Sequence, residues 1–400
     1  EEIVHSILHV DPESAEAFNA LGSIYEKKGD LKEAEKNLQK ALNFNPDLFS
    51  AKLNIITIRQ HRGETYKAQE LLEELLKQKP EEPNVNNNLS NVYLVIGKLR
   101  KGWEKYEYRW KAFPGIRVAW PIKDRELWEG QEDKSVVLWR EQGIGDDILF
   151  LGLVPESFQR SKKMSVYIDP RLISLCERSM PGIKFKEYTG KVDGEEFDYH
   201  LPMGSLPRIL RNSEKDFDKT VKGYLKTDPK RVELLRNELG LKGKRVIGIS
   251  WKSVNSENHL HLLKSLTLMD FKTIFKDLDV TLLNLQYGDV DKEIKEFKEK
   301  TGIEVLQCRS VDNREDLDGL ASLIEICDLV ISTSNVTIHL AGALAKETWV
   351  LLPYVANFWW FIDRTDSLWY PTLKLYRQKK FEQTYAFINN LGYKLKNVGN

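Results

Sequence analysis

DPESAEAFNALGSIYEKKGDLKEAEKNLQKALNFNP, residues 11–46, decides how the first quarter of the chain folds. Pro12 and Pro46 bound the stretch, Pro80 follows, and both intervals are 34 residues. Between the first two prolines, Phe18, Leu21, Gly22, Tyr25, Ala34, Leu38 and Ala41 fall at helical spacing, with large and small side chains where two paired helices need them. Gly22 and Ala34 let the helices approach closely, while Phe18, Tyr25 and Leu38 fill the space between successive hairpins. Each proline ends a second helix, because its nitrogen has no hydrogen to donate.

A helical hairpin of this length and pattern resembles the tetratricopeptide repeat. The second copy keeps Ala68, Leu72 and Pro80 but has Ile56 and Arg59 at the small and aromatic positions, and the third keeps Leu89 and Tyr93. Residues 1–12 read as the tail of an earlier helix, so the chain is expected to begin inside a repeat, with more repeats in front. Stacked hairpins curve into a groove that suits a peptide. Asn54, Asn84, Asn86, Asn87, Asn88 and Asn91 are candidates to bind its backbone there, or else ordinary loop and cap residues.

At 400 residues the chain exceeds one hydrophobic core. The predicted division is a repeat array over 1–112, a first α/β domain over 113–228 and a second over 229–400. Lys+Arg and Asp+Glu both number 60, so no net field draws in nucleic acid or an anionic bilayer, and neither partner is expected. Cys176, Cys308 and Cys327 stand far apart, without metal-ligand spacing and in odd number, which fits a reducing compartment. No stretch approaches the roughly 20 apolar residues of a membrane span, and residues 1–12 carry no basic-then-apolar leader, so a cytoplasmic location is expected. The aromatic-rich segment from Trp103 to Trp128 reads as a packed junction rather than a flexible linker.

Beyond the junction, short apolar strands alternate with helical patterns, the signature of a parallel sheet covered on both faces. SVVLW (135–139), MSVYID (164–169) and FDYHLP (197–202) give the first half, with a helix predicted over ILFLGLVPESFQRS. DPKRVELLRNELG bridges to the second. There RVIGIS, VTLLNLQ, IEVLQC, DLVIST, TWVLLP and KLYRQ are the predicted strands, and FEQTYAFINNL closes the chain as a helix.

Ligands of open parallel sheets sit at the carboxyl ends of strands, where helix N-termini favour phosphate. Three turns qualify. In EQGIGDD (141–147), Gly143 and Gly145 allow close backbone approach beside Gln142, and Asp146 is either a helix cap or a general base. GISWKS places Ser250, Trp251 and Lys252 at a strand end. STSNVTIHLAGALA gathers Ser332, Thr333, Ser334, Asn335, Val336 and Thr337 around a helix start, with His339 either facing the site or bonded within the fold. Trp359 and Trp360 are either a sugar platform or packing between domains. The strings DLD at 277, DVD at 289 and DLD at 316 read as helix starts rather than metal ligands, so no metal is expected.

EQGIGDD, GISWKS, LNLQYGD, DLVISTSNVTIHLAGAL and LWYPTLKLYRQ occur in this order and resemble the heptosyltransferase-like glycosyltransferases, family 9, in a branch that follows tetratricopeptide repeats. The resemblance covers roughly residues 128–378. It implies a GT-B fold of two Rossmann-like domains, with the nucleotide sugar held by the C-terminal one and no metal or other cofactor. Carried over by position, Asp146 is the base, and Gly143 and Gly145 of its turn are among the donor-binding residues. Ser250, Trp251 and Lys252 approach donor phosphate, Gln286 lies near the nucleotide, and Ser334, Asn335, Val336, Thr337 and His339 form the diphosphate loop. Gln142, Trp359 and Trp360 are possible sugar or acceptor contacts. Many members have Asp-Thr where this chain has Ser334 and Asn335, which touches donor choice or activity itself. Lys264 is the basic residue kept before the sugar site. The implied activity is inverting transfer to a protein, peptide or glycan acceptor. The alternative is an interaction scaffold with a degenerate transferase part.

Overall fold

The computed structural model describes residues 1–113, 121–122, 124–192, 196–241, 243–253, 265–276, 278–379, 388, 391–392 and 394–395. Lys264, Asp277 and most of the predicted closing helix lie outside the described residues.

The first part is a stack of helices: α1 (Glu2–Val10), α2 (Ala15–Lys27), α3 (Leu31–Phe44), α4 (Phe49–His61), α5 (Thr65–Gln78), α6 (Pro83–Val95) and α7 (Leu99–Tyr106). α2 with α3, α4 with α5, and α6 with α7 form the three hairpins, and each 34-spaced proline follows a second helix as expected. Ser14 caps α2 and Asp30 caps α3 through their side-chain oxygens. Gly29, Gly63 and Gly97 close the first helix of each hairpin at φ of 81°, 77° and 81°, a left-handed backbone that glycine adopts without strain. A methyl group on Gly22 would stand 2.5 Å from Leu38 Cγ, which is why the position is small. The buried faces of consecutive hairpins share two apolar cores, one around Ala34 and Leu38 and the next around Leu72 and Leu89.

Two wholly parallel sheets follow. The first comprises β1 (Glu126–Leu127), β2 (Lys134–Trp139), β3 (Ser161–Ile168), β4 (Lys184–Glu187) and β5 (Tyr199–Pro202), in the order β1-β5-β2-β3-β4. The second comprises β6 (Val246–Ser250), β7 (Thr281–Asn284), β8 (Val305–Leu306), β9 (Leu329–Thr333), β10 (Thr348–Leu352) and β11 (Leu373–Arg377), in the order β11-β10-β9-β6-β7-β8. Counted from β6, that is the doubly wound order 3-2-1-4-5-6. The expected architecture is therefore present: helical hairpins followed by two Rossmann-like α/β units. β6, β9 and β10 are buried at every residue, as sheets covered on both faces require.

β1 and β4 are additional to the predicted strands; both are short and partly exposed, so their patterns are weak. The single helix predicted after EQGIGDD is two, Ile144–Leu151 and Val154–Gln159, since Pro155 has no N–H with which to continue the first.

One apolar core runs from the last hairpin through the first sheet to one face of the second, and the opposite face of the second has its own. Trp103 of α7 sits edge-on to Tyr106, Phe358 and Trp369 at 5.5, 5.7 and 6.3 Å. The Ile362 N–H donates to the Val95 carbonyl at 2.9 Å. The array is thus docked along both α/β units, and the described residues of its junction, Trp103, Tyr106, Trp110 and Trp128 among them, are buried.

Candidate active site

Crossovers from the two central strands of each sheet leave in opposite directions, opening a crevice at the strand ends. In the second sheet the crevice lies between β6 and β9, where Ser250 and Ser332 are in register. GISWKS and STSNVT end these strands, so topology brings two of the three predicted turns together.

Their polar atoms serve each other. The Gln286 side-chain oxygen accepts from Ser250 Oγ at 3.0 Å, Trp251 N–H at 2.8 Å and Lys252 N–H at 2.7 Å. Its amide nitrogen donates to the Tyr287 carbonyl at 3.1 Å. Asn335 donates to Ser250 Oγ at 2.7 Å and the Lys252 carbonyl at 3.0 Å, while its oxygen caps the Thr337 N–H at 3.0 Å. Gln286 is 1% exposed and Asn335 7%, so both shape the crevice rather than reach into it. Asn335 donates twice and accepts once from the next helix, a combination that no carboxylate offers.

Other predicted contacts are placed differently. Trp251 is fully buried in the core of the second sheet, and only its backbone takes part. Thr337 is fully buried in the first turn of the helix Val336–Ala343. His339 lies two residues further along the same helix, 3.0 Å from the Tyr370 hydroxyl and stacked 5.8 Å from Trp360. Burial pushes its pKa down to about 3, and its ring is bonded to Tyr370 and packed against Trp360. Trp360 is buried and donates to Ser334 Oγ at 3.0 Å. Ser334 and Val336 remain partly exposed at the helix start. Lys252 forms an ion pair with Glu293.

In the first sheet the crevice lies between β2 and β5, and EQGIGDD follows β2. Glu141 is held by Arg109 of the junction through two bonds of 3.0 and 2.7 Å. That guanidinium is 5% exposed and also meets Glu107 at 3.0 Å and Ser205 Oγ at 2.8 Å. A methyl group at Gly204 would strike Glu141, so the turn after β5 is cut to admit it. Gln142 donates to the Tyr106 hydroxyl at 2.6 Å, which fixes it to the array. Asp146 accepts from the Gly143 N–H at 3.2 Å, so it does cap its helix, yet it stays partly exposed. Asp147 turns inward to Arg140 at 2.6 Å, and burial pushes its pKa up to about 8 against that guanidinium's pull. A Cβ on Gly145 would come within 3.1 Å of the His339 ring, so the starts of the two helices abut across the cleft.

A cavity of 1080 Å³ opens on the array side of this meeting point. Asp146, Gln142 and Trp359 line it, together with Gln60, Asn87 and Asn91 of the array. Asn88 lines it too, whereas Asn86 is buried and donates to the Pro80 and Glu82 carbonyls, and Asn54 donates to Asn19 and Ser23. Asn84 is exposed outside the cavity lining. Asp316 caps its helix through the Gly319 N–H at 2.9 Å, and Asp289 accepts from the Asp291 N–H at a helix start. Among the described residues no group of three or more His, Cys, Asp or Glu is arranged to hold a metal ion.

Sequence reasoning missed Arg109, Glu141 and Glu293. Arg109 sits among the aromatics of the junction, the one hint available, while Glu293 is an ordinary acid in a charged helix.

The tetratricopeptide-repeat family model matches residues 15–48. These residues are a tetratricopeptide repeat. Across 95% of its length the chain is 28% identical to the protein FlbA of Caulobacter vibrioides, of which the alignment covers 67%. Solved structures to which it is similar include a glycosyl transferase family 9 protein from Veillonella parvula, at 11% identity over 62% of this chain and 87% of that one, with a TM-score of 0.45. A Thermobaculum terrenum O-GlcNAc transferase variant is 13% identical over 99% of this chain and 86% of its own, with a TM-score of 0.37. No helix among the described residues is long and apolar enough to cross a membrane.

Proposed function

We propose that this chain is a metal-independent glycosyltransferase that moves a sugar from a nucleotide-sugar donor to a protein or peptide presented by the repeat array. The observation that carries this reading is the shared cavity: Asp146 and the array residues Gln60, Asn87 and Asn91 line one space. A polypeptide in the array's groove has a direct path to the carboxylate of the GxGD turn. The order of the five sequence strings supports the same chemistry, and so does the crevice between β6 and β9, where backbone amides and a helix start favour a diphosphate.

In the proposed reaction an acceptor hydroxyl or amide gives its proton to Asp146 and bonds to the anomeric carbon. The carbon–oxygen bond to the diphosphate breaks, and its electron pair leaves with the nucleotide. Attack opposite the leaving group inverts the anomeric centre. Lys252 and the amides at the start of the helix Val336–Ala343 steady the departing charge. Gln286 and Asn335 act one layer back, holding the Ser250–Lys252 backbone in place.

A second reading, a scaffold with non-catalytic α/β units, has one observation in its favour. Ser334 stands where many heptosyltransferase-like proteins have aspartate, and its hydroxyl is engaged by Trp360. Thermal unfolding against UDP, GDP, ADP, CMP and dTDP separates the two. One nucleotide at about 100 times its Kd should stabilise the fold by about 2.7 kcal/mol. No shift with any of them rejects the transferase.

A further inference from the structure

We infer that Glu293 is a resident counter-ion for Lys252, holding its ammonium away from the donor crevice until a diphosphate displaces it. This rests on the diphosphate reading of Lys252 given above. Lys252 lies between two places its ammonium can occupy. Its own carbonyl accepts from Asn335, the residue that caps the helix Val336–Ala343, so its backbone borders the helix start. Its side chain, however, turns to Glu293 on the helix Asp291–Thr301 after β7. A lysine stem with four rotatable bonds lets one ammonium swing between such positions, which a planar guanidinium does less readily.

Glu293 is built to stay behind when the lysine leaves. One carboxylate oxygen holds Lys252, and the other accepts from the Leu268 N–H at 2.8 Å. That second bond fixes the carboxylate to the turn Leu268–Phe271 whether or not the ammonium is present. The backbone leading to Lys252 is pinned as well, since Leu266 N–H donates to the Trp251 carbonyl at 2.8 Å and Ser253 N–H to Ser265 Oγ at 3.1 Å. In the inferred exchange it is the lysine side chain that moves.

The pair is also weak enough to exchange. The side chains are 35% and 24% exposed, so water and salt screen their attraction. A diphosphate brings more charge than one carboxylate and meets the helix amides at the same time. When the nucleoside diphosphate departs, Glu293 takes the ammonium back. Competition of this kind lowers product affinity and favours release.

The test uses the full chain, with inorganic pyrophosphate and whichever nucleotide stabilises the fold as probes. Glu293→Gln keeps an acceptor for the Leu268 N–H but removes the charge, and it should tighten both probes about two- to fivefold, the worth of a partly exposed ion pair. Lys252→Met should weaken both probes, and the double variant should match Lys252→Met alone, because the acid acts only through the lysine. Weaker or unchanged binding in Glu293→Gln overturns the inference. Unchanged binding in Lys252→Met instead rejects the diphosphate role of Lys252. A second measurement needs no substitution at Glu293: after reductive methylation with 13C-formaldehyde, the Lys252 resonance, assigned by its loss in Lys252→Met, should shift when pyrophosphate is added. A resonance that does not move also overturns the exchange.

Discussion

At the crevice of the first sheet the turn after β2 is held from outside, by Arg109 of the repeat junction, whereas at the second the turns after β6, β7 and β9 hold one another. Both turns occupy the same place in a doubly wound sheet. The first depends on a buried ion pair with another part of the molecule, and the second is a closed network of neutral amides and hydroxyls. A network satisfied within one unit forms wherever that unit folds. The first turn has bonds of its own, from Arg140 to the Gln142 carbonyl and from the Gly143 N–H to Asp146, and Arg109 adds a tie between it and the junction that follows the array.

The sharpest way to break the comparison is to remove chemistry from the first crevice alone. Asp146→Asn should lower kcat by about 10²–10⁴ and leave nucleotide affinity unchanged, as expected for loss of a general base. A parallel loss of nucleotide binding would show that the crevices do not divide the work. Next in size is Arg109→Met, which leaves the Glu141 carboxylate buried without its partner and should cost about 3–5 kcal/mol in denaturant unfolding. Stability within 1 kcal/mol of the parent, about the worth of an exposed pair, would mean that the junction does not set the loop.

A third prediction uses acid. His339 is held at about pKa 3 in the fold, below its ordinary 6.5, so the unfolded chain takes up the proton first as the pH falls. Its contribution to stability is complete above pH 6.5 and is lost as the pH drops toward about 3. His339→Gln should therefore flatten the stability profile across that interval, and equal slopes in urea titrations would rule the histidine out. The smallest effect is expected at the cavity wall, where Asn91→Ala should raise KM for a protein acceptor about two- to tenfold while sparing kcat, the worth of one hydrogen bond. No change in KM would separate the array from acceptor binding.

Much of the architecture was legible because it depends on local periodicity. A spacing of 34 and a small residue opposite Leu38 suffice to call a helical hairpin, and fully apolar runs such as VIGIS call a buried parallel strand. The turns were legible for the same reason, since topology obliges strand ends to meet. Side-chain direction was less so. Trp251, Gln286 and His339 sit in the right turns, yet they point into packing or into each other. Asn335 stands at a departure from the family pattern, and its amide bridges two strand ends.

The sequence by itself determined the repeat, the two alternating halves and the three turns at their strand ends, since periodicity and turn chemistry act between residues close in the chain. Only the tertiary structure decided that Arg109 meets Glu141, that Lys252 meets Glu293 and that Asp146 shares a cavity with the array. These partners are separated by 32, 41 and dozens of residues, and nothing local records them. Burial explains why the first pair matters: the charges of Arg109 and Glu141, removed from water, need partners, and the packing of distant elements decides which ones they find.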